Sequence, residues 1–122
     1  MKKILFIFSF LLISCSEDLS QKAKDFSQNK IIIDSHIDTP FQIWRQKNNT
    51  GASDDITKST SFRFDYPRAV EGGLNLPFFA IFIPARTEPE GTSFDLAVEL
   101  INMMNEIISN NPDKFTFIKN PS

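Results

Sequence analysis

The sequence predicts an α/β fold built on a parallel sheet, carried here only in part. Three observations predict it. Strand-like and helix-like stretches follow one another as strand, short helix, loop, strand, helix, strand. The stretch from Leu74 to Ile83 is apolar on both faces, as in a strand covered on both sides. The chain has 122 residues, whereas a closed barrel of eight βα units takes about 250. Three strands and one strong helix cannot cover both faces of such a sheet, so the pattern reads as the opening of a larger fold.

The elements follow in order. Residues 1–14 read as an export signal: Lys2 and Lys3 precede the run from Ile4 to Ile13, which is apolar except for Ser9 and too short to span a bilayer. Leu12-Ile13-Ser14-Cys15 resembles a bacterial lipobox, in which the cysteine is acylated and becomes the new N-terminus. Cys15 is the only cysteine and has no disulfide partner. The expected location is therefore outside the cytoplasm, on a bacterial membrane through a lipid at Cys15, periplasmic or on the outer surface. A cleaved signal with an incidental cysteine is the alternative. Residues 15–29 are polar and read as a tether, and residues 30–122 as the domain.

Lys30 to Ile37 reads as an isoleucine-rich strand closed by Pro40, followed by a short helix from Phe41 to Gln46. Lys47 to Ser61, rich in Asn, Ser, Thr, Asp and Gly, reads as a loop. Asp65 is placed to cap a short helix that Gly72 ends. In the Leu74–Ile83 run Pro77 lacks an N–H, so regular pairing is expected only after it. Thr92 and Asp95 have capping-box spacing. Ala97, Leu100, Ile101, Met104, Ile107 and Ile108 recur at helical spacing, up to about Asn110 and before Pro112. The methionines of this helix read as core filler. Lys114 to Lys119 alternates and reads as a third strand.

The composition is that of a globular protein, 41% apolar and 23% charged, with 13 phenylalanines to pack a core. A formal charge of −2 and the lack of a long basic stretch exclude nucleic acid as a partner.

Chemistry concentrates in Asp34-Ser35-His36-Ile37-Asp38-Thr39-Pro40. His36 is the only histidine. Side chains alternate along a strand, so His36 and Asp38 share a face at the strand's C-terminal end, with Asp34 one step deeper. In parallel α/β folds ligands bind at that end. An imidazole nitrogen and a carboxylate suit zinc, and Asp34 could orient a ligand from behind. A solvated His36 capped by Asp38 is the plainer reading, and the residues alone leave both open. Asp65 and Arg68 read as brace rather than site, Trp44 as packing or a site wall, and Glu71 as structural.

The stretch Asp34 to Pro40 resembles the Asp-Gly-His-Asn-Asp-Leu-Pro metal motif of the membrane dipeptidase family, peptidase family M19, with Ser35, Ile37 and Thr39 as departures. A second block, Phe64 to Pro84, is similar to a family segment in which Asp65, Pro67, Arg68, Glu71-Gly72-Gly73, Phe78 and Pro84 stay in register. Leu76-Pro77 departs from it. The resemblance spans about Lys30 to Ile118.

That resemblance implies a (β/α)8 barrel of TIM type, a metal-dependent hydrolase with a two-zinc site, of which this chain is the N-terminal part. It makes His36 and Asp38 the first two zinc ligands. A bridging glutamate, two further histidines and the substrate-binding residues come from later strands, so no catalytic residue lies in this chain and zinc binding by it alone is expected to be weak. The implied substrate is a dipeptide, hydrolysed by metal-activated water, with a D-residue often tolerated at the second position. The expected partners are that dipeptide and the membrane at Cys15, with a homodimer as an open alternative. Two other readings stand beside it: a non-catalytic lipid-anchored surface protein, and another amidohydrolase-like metal hydrolase.

Overall fold

The computed structural model describes residues 19–120. The export signal and Cys15 lie outside the described residues. Six main elements follow in order: α1 (Leu19–Gln28), β1 (Ile32–Ile37), α2 (Thr39–Thr50), α3 (Tyr66–Gly72), β2 (Leu74–Phe79) and α4 (Ser93–Asn110). A short 3₁₀ turn, Ala85–Thr87, precedes α4.

β1 and β2 pair in parallel, joined by α2, a loop and α3. This is a βαβ arrangement, in which the crossover returns the chain to the starting end of the sheet. The ladder matches Ile32 with Leu74, Ile33 with Leu76, Asp34 with Pro77 and Ile37 with Phe79. Its two irregularities are both met by side chains. Where Asn75 interrupts the start, its Oδ1 accepts from Ile32 N at 2.8 Å and its Nδ2 donates to Lys30 O at 3.2 Å. Between Asp34 and Ile37 β1 takes three steps against two on β2, which is a bulge.

The core lies between this sheet and the helices. Ile37, Ile43, Ile56, Phe64 and Met104 form its buried centre, with Phe79, Met103, Ile107 and Phe115 packed against it. Phe64 meets Phe79 edge to face at 5.0 Å. From α4, Leu96, Leu100 and Met104 are buried. Ile101, expected on the apolar face, is exposed instead.

Several expected boundaries are corrected. Helix α2 starts at Thr39 and runs to Thr50, so Pro40 opens it and part of the expected loop is helical. Proline is tolerated there because the first N–H groups of a helix have no internal partner. Gly72 is the last residue of α3, and the left-handed residue that stops the helix is Gly73, with φ +78°. Pairing in β2 begins at Leu74 and includes Pro77, while residues 80–84 lie outside the strand. Pro77 is accommodated because β2 has one paired neighbour, so an edge is open to its missing N–H. At α4 Thr92 makes no side-chain cap. Thr87 Oγ1 instead meets Ser93 Oγ at 2.8 Å and donates to Pro84 O at 2.8 Å. Residues 114–119 form no strand, since the only ladder among the described residues is β1–β2. Phe115 of that segment turns inward against Tyr66, at 5.5 Å.

The polar stretch read as a tether contains α1. Gln28 Nε2 donates to Val70 O and Glu71 O, each at 3.0 Å, which satisfies carbonyls at the end of α3. Gly73 lies directly beneath: a Cβ there would collide with the Ser27 carbonyl.

The sheet is open on its far sides. Ile31 is 75% exposed, Ile33 56% and Phe78 55%. A parallel sheet of this kind is normally covered on both faces. Among the described residues the sheet has only these two strands.

Candidate metal centre

Local chemistry builds the site at the C-terminal end of β1. Ile37 is buried in the core and fixes the strand end. Thr39 and Pro40 are buried at the start of α2. His36 and Asp38 flank Ile37 and point to solvent, with side chains 66% and 44% exposed. Ile37 is buried, while His36 before it and Asp38 after it, the residue that opens α2, are turned outward together.

His36 Nε2 lies 3.0 Å from Asp38 Oδ1. The carboxylate accepts, so Nε2 carries the proton. Two donors bound to one zinc at about 2.0–2.2 Å each lie at most roughly 4 Å apart, and this pair meets that limit. A cation would take the place of the shared proton, which would move to Nδ1. Nδ1 makes no hydrogen bond to any described residue. The pair fits a metal as two donors of a larger set, and among the described residues no group of three or more His, Cys, Asp or Glu side chains converges.

Asp34 does not approach the imidazole as a hydrogen-bond partner. Its Oδ1 accepts from the backbone N–H of His36 at 3.0 Å, inside the bulge. Thr39 is fully buried, and its Oγ1 has no hydrogen-bond partner among the described residues.

The chain leaves β2 at the same end of the sheet. Ala80 N donates to Ile37 O at 2.9 Å and extends the contact beyond the strand. Phe82 packs on Phe41 at 5.1 Å, and Phe41 stacks on Trp44 at 5.5 Å. Trp44 Nε1 donates to Glu99 Oε2 at 2.9 Å, tying α2 to α4. Trp44 is therefore a packing residue of the helical layer. It lines a groove of about 490 Å³ with Phe94, Val98 and Glu99, which includes neither His36 nor Asp38.

Asp65 is a brace, at the far end of the crossover. It is fully buried. It caps α3 by accepting from Arg68 N at 3.0 Å, and it accepts from Thr60 N at 3.0 Å and Arg68 Nε at 2.7 Å. These bonds, that from the Arg68 side chain first, bring its pKa from 3.8 to about 2 against the opposing effect of burial. Glu71 is exposed and contributes its carbonyl to Gln28. Sequence reasoning missed Asn75 and the bulge. The signal for Asn75 was a lone amide inside an apolar run; the bulge has no local signal.

The described residues form a parallel βαβ unit of α/β class, with a histidine and a carboxylate at the C-terminal end of its first strand. The chain belongs to the membrane dipeptidase family, peptidase family M19, whose model matches residues 20–122. The match begins at residue 20, inside α1. Comparisons with curated proteins and with solved structures find no match.

Proposed function

We propose that this chain is the opening segment of a zinc-dependent dipeptidase built on a (β/α)8 barrel, with His36 and Asp38 as its first two metal ligands. The observation that carries the reading is the 3.0 Å convergence of His36 Nε2 and Asp38 Oδ1 at the C-terminal end of β1, in a chain of this family.

The residues divide the work. His36 offers Nε2 once its proton sits on Nδ1. Asp38 offers a negative oxygen that offsets the cation's charge. Ile37 holds both from below through its burial, and the Pro40 turn carries the chain away into α2. His36 and Asp38, with further donors, would hold a zinc ion, and its chemistry when bound would be a water whose pKa is lowered to about 7 and a Lewis acid for the scissile carbonyl. A catalytic zinc takes three protein ligands, so further donors come from strands outside this two-stranded sheet. Those strands would also cover Ile33 and Phe78. A lipid at Cys15 would hold the enzyme on the membrane; among the described residues no helix is long and apolar enough to cross one.

The test is dipeptide hydrolysis by the protein expressed from the complete reading frame. Activity should vanish with a chelator, return with zinc, and fall at least about 100-fold in His36→Ala. Full activity in His36→Ala would sink the reading. The anchor is tested separately: labelled palmitate should enter the wild type and not Cys15→Ser.

A further inference from the structure

We propose that Asp34 is a positioning residue that acts through the backbone: it holds the His36 amide in the β1 bulge, and so sets where the imidazole stands, without touching the ring or the metal. The inference rests on the reading of His36 and Asp38 as metal ligands, and it assigns Asp34 a task that the motif's spacing does not reveal.

Three observations lead there. First, the ladder slips between Asp34, opposite Pro77, and Ile37, opposite Phe79. His36 therefore lies in the bulged part of the strand, where a residue falls out of the ladder. Second, the Asp34 carboxylate supplies the missing acceptor, taking the His36 N–H at 3.0 Å. Bulges beside functional sites re-aim side chains, and this one holds the residue that carries the imidazole. Third, the ring's only hydrogen bond among the described residues is to Asp38, through Nε2. Asp34 is thus spent on the main chain.

The geometry needs two anchors for the two donors. Asp38 stands between buried Ile37 and buried Thr39, so the core places it. His36 stands between Ser35 and Ile37 on an exposed bulge, with one core neighbour only. The Asp34 oxygen is its second anchor. What this task requires of residue 34 is an acceptor oxygen of the right reach, not a negative charge. Asparagine carries the same Oδ1, so it should serve. A residue acting as ligand, or as a charged partner of the ring, would not tolerate that exchange.

The test uses the protein from the complete reading frame as wild type, Asp34→Asn and Asp34→Ala. Amide hydrogen exchange of His36 reads the contact itself. A zinc titration followed through the ring resonances of His36, assigned by their loss in a His36→Gln control, reads its consequence. In Asp34→Ala the amide should exchange about tenfold faster and half-saturation should need about tenfold more zinc, the lower end of the range for supporting residues. In Asp34→Asn both should stay within about twofold of wild type. Equal damage in Asp34→Asn and Asp34→Ala overturns the proposal, because charge is then what matters. So does an Asp34→Ala chain indistinguishable from wild type. Should Asp34→Ala not fold, a tenfold loss of zinc affinity in Asp34→Asn still overturns it and a wild-type value supports it. A wild-type ring that ignores zinc removes the metal reading, and amide exchange then decides the role of Asp34 alone.

Discussion

Replacing Asp65 with alanine should release the loop before α3 without disturbing the metal centre. The side chain is fully buried and accepts from the Arg68 amide, the Thr60 amide, the Arg68 guanidinium and, at 3.5 Å, the Thr60 hydroxyl. Arg68 is half-exposed and can return to water. The two amides lose acceptors, at about 1–3 kcal/mol for each buried group left unsatisfied. Partial hydration of the opened loop brings the sum to about 2–4 kcal/mol, which is roughly 30- to 1000-fold in the opening equilibrium. Hydrogen exchange at the Tyr66 amide, which donates to Ile56 O at 2.8 Å, reads that opening directly. The folded pKa of about 2 lies below the ordinary 3.8, so this carboxylate stabilises the fold above about pH 4. Its contribution fades as pH falls toward 2. The shift corresponds to about 1–2 kcal/mol once screening of the half-exposed Arg68 is allowed for. Protection of Tyr66 should therefore drop between pH 4 and 2 in the wild type and much less in Asp65→Ala. A Tyr66 amide that exchanges within threefold of wild type in Asp65→Ala would refute the reasoning.

Other substitutions test other joints. Gly73→Ala puts a Cβ against the Ser27 carbonyl at a left-handed backbone position; it should loosen α1 from α3 at a cost of about 1–3 kcal/mol, seen as faster exchange through residues 22–28, and unchanged exchange would contradict the contact. Thr39→Val removes a buried hydroxyl with no partner among the described residues, so stability should hold or rise by up to about 1 kcal/mol; a clear loss would mean that the hydroxyl has a partner. Trp44→Phe keeps the stack on Phe41 and loses the bond to Glu99, at about 0.5–1.5 kcal/mol, and Glu99→Gln, which keeps an acceptor, should be nearly neutral in the same denaturation assay. With Ile31, Ile33 and Phe78 exposed beside an unpaired strand edge, the chain expressed alone should aggregate and lack a sharp melt; a soluble monomer with a cooperative transition would count against that.

What could be read from the sequence was what local chemistry decides. The isoleucine run of β1, the Asp65 cap and the end of α4 before Pro112 all announce themselves within a few residues. So does the i, i+2 spacing that brings His36 to Asp38. The misreadings share a different cause. Pro77 argues against a strand locally, yet the open edge of a two-stranded sheet admits it. Lys114 to Lys119 alternates like a strand but finds no strand to pair with. Thr92 and Asp95 are spaced as a cap, while Thr87 reaches Ser93 from outside the window. The segment before β1 looks like a tether until Gln28 meets the end of α3. The role of Asp34 depends on a bulge, and a bulge is set by the register of two strands far apart in the chain.

The most direct test of the central claim is the position of the metal. Crystals of the protein from the complete reading frame, grown with zinc, should be measured at the zinc absorption edge. The account predicts an anomalous peak within about 2.2 Å of both His36 Nε2 and Asp38 Oδ1. A fully loaded protein with its zinc elsewhere, and His36 still bonded to Asp38, would contradict it.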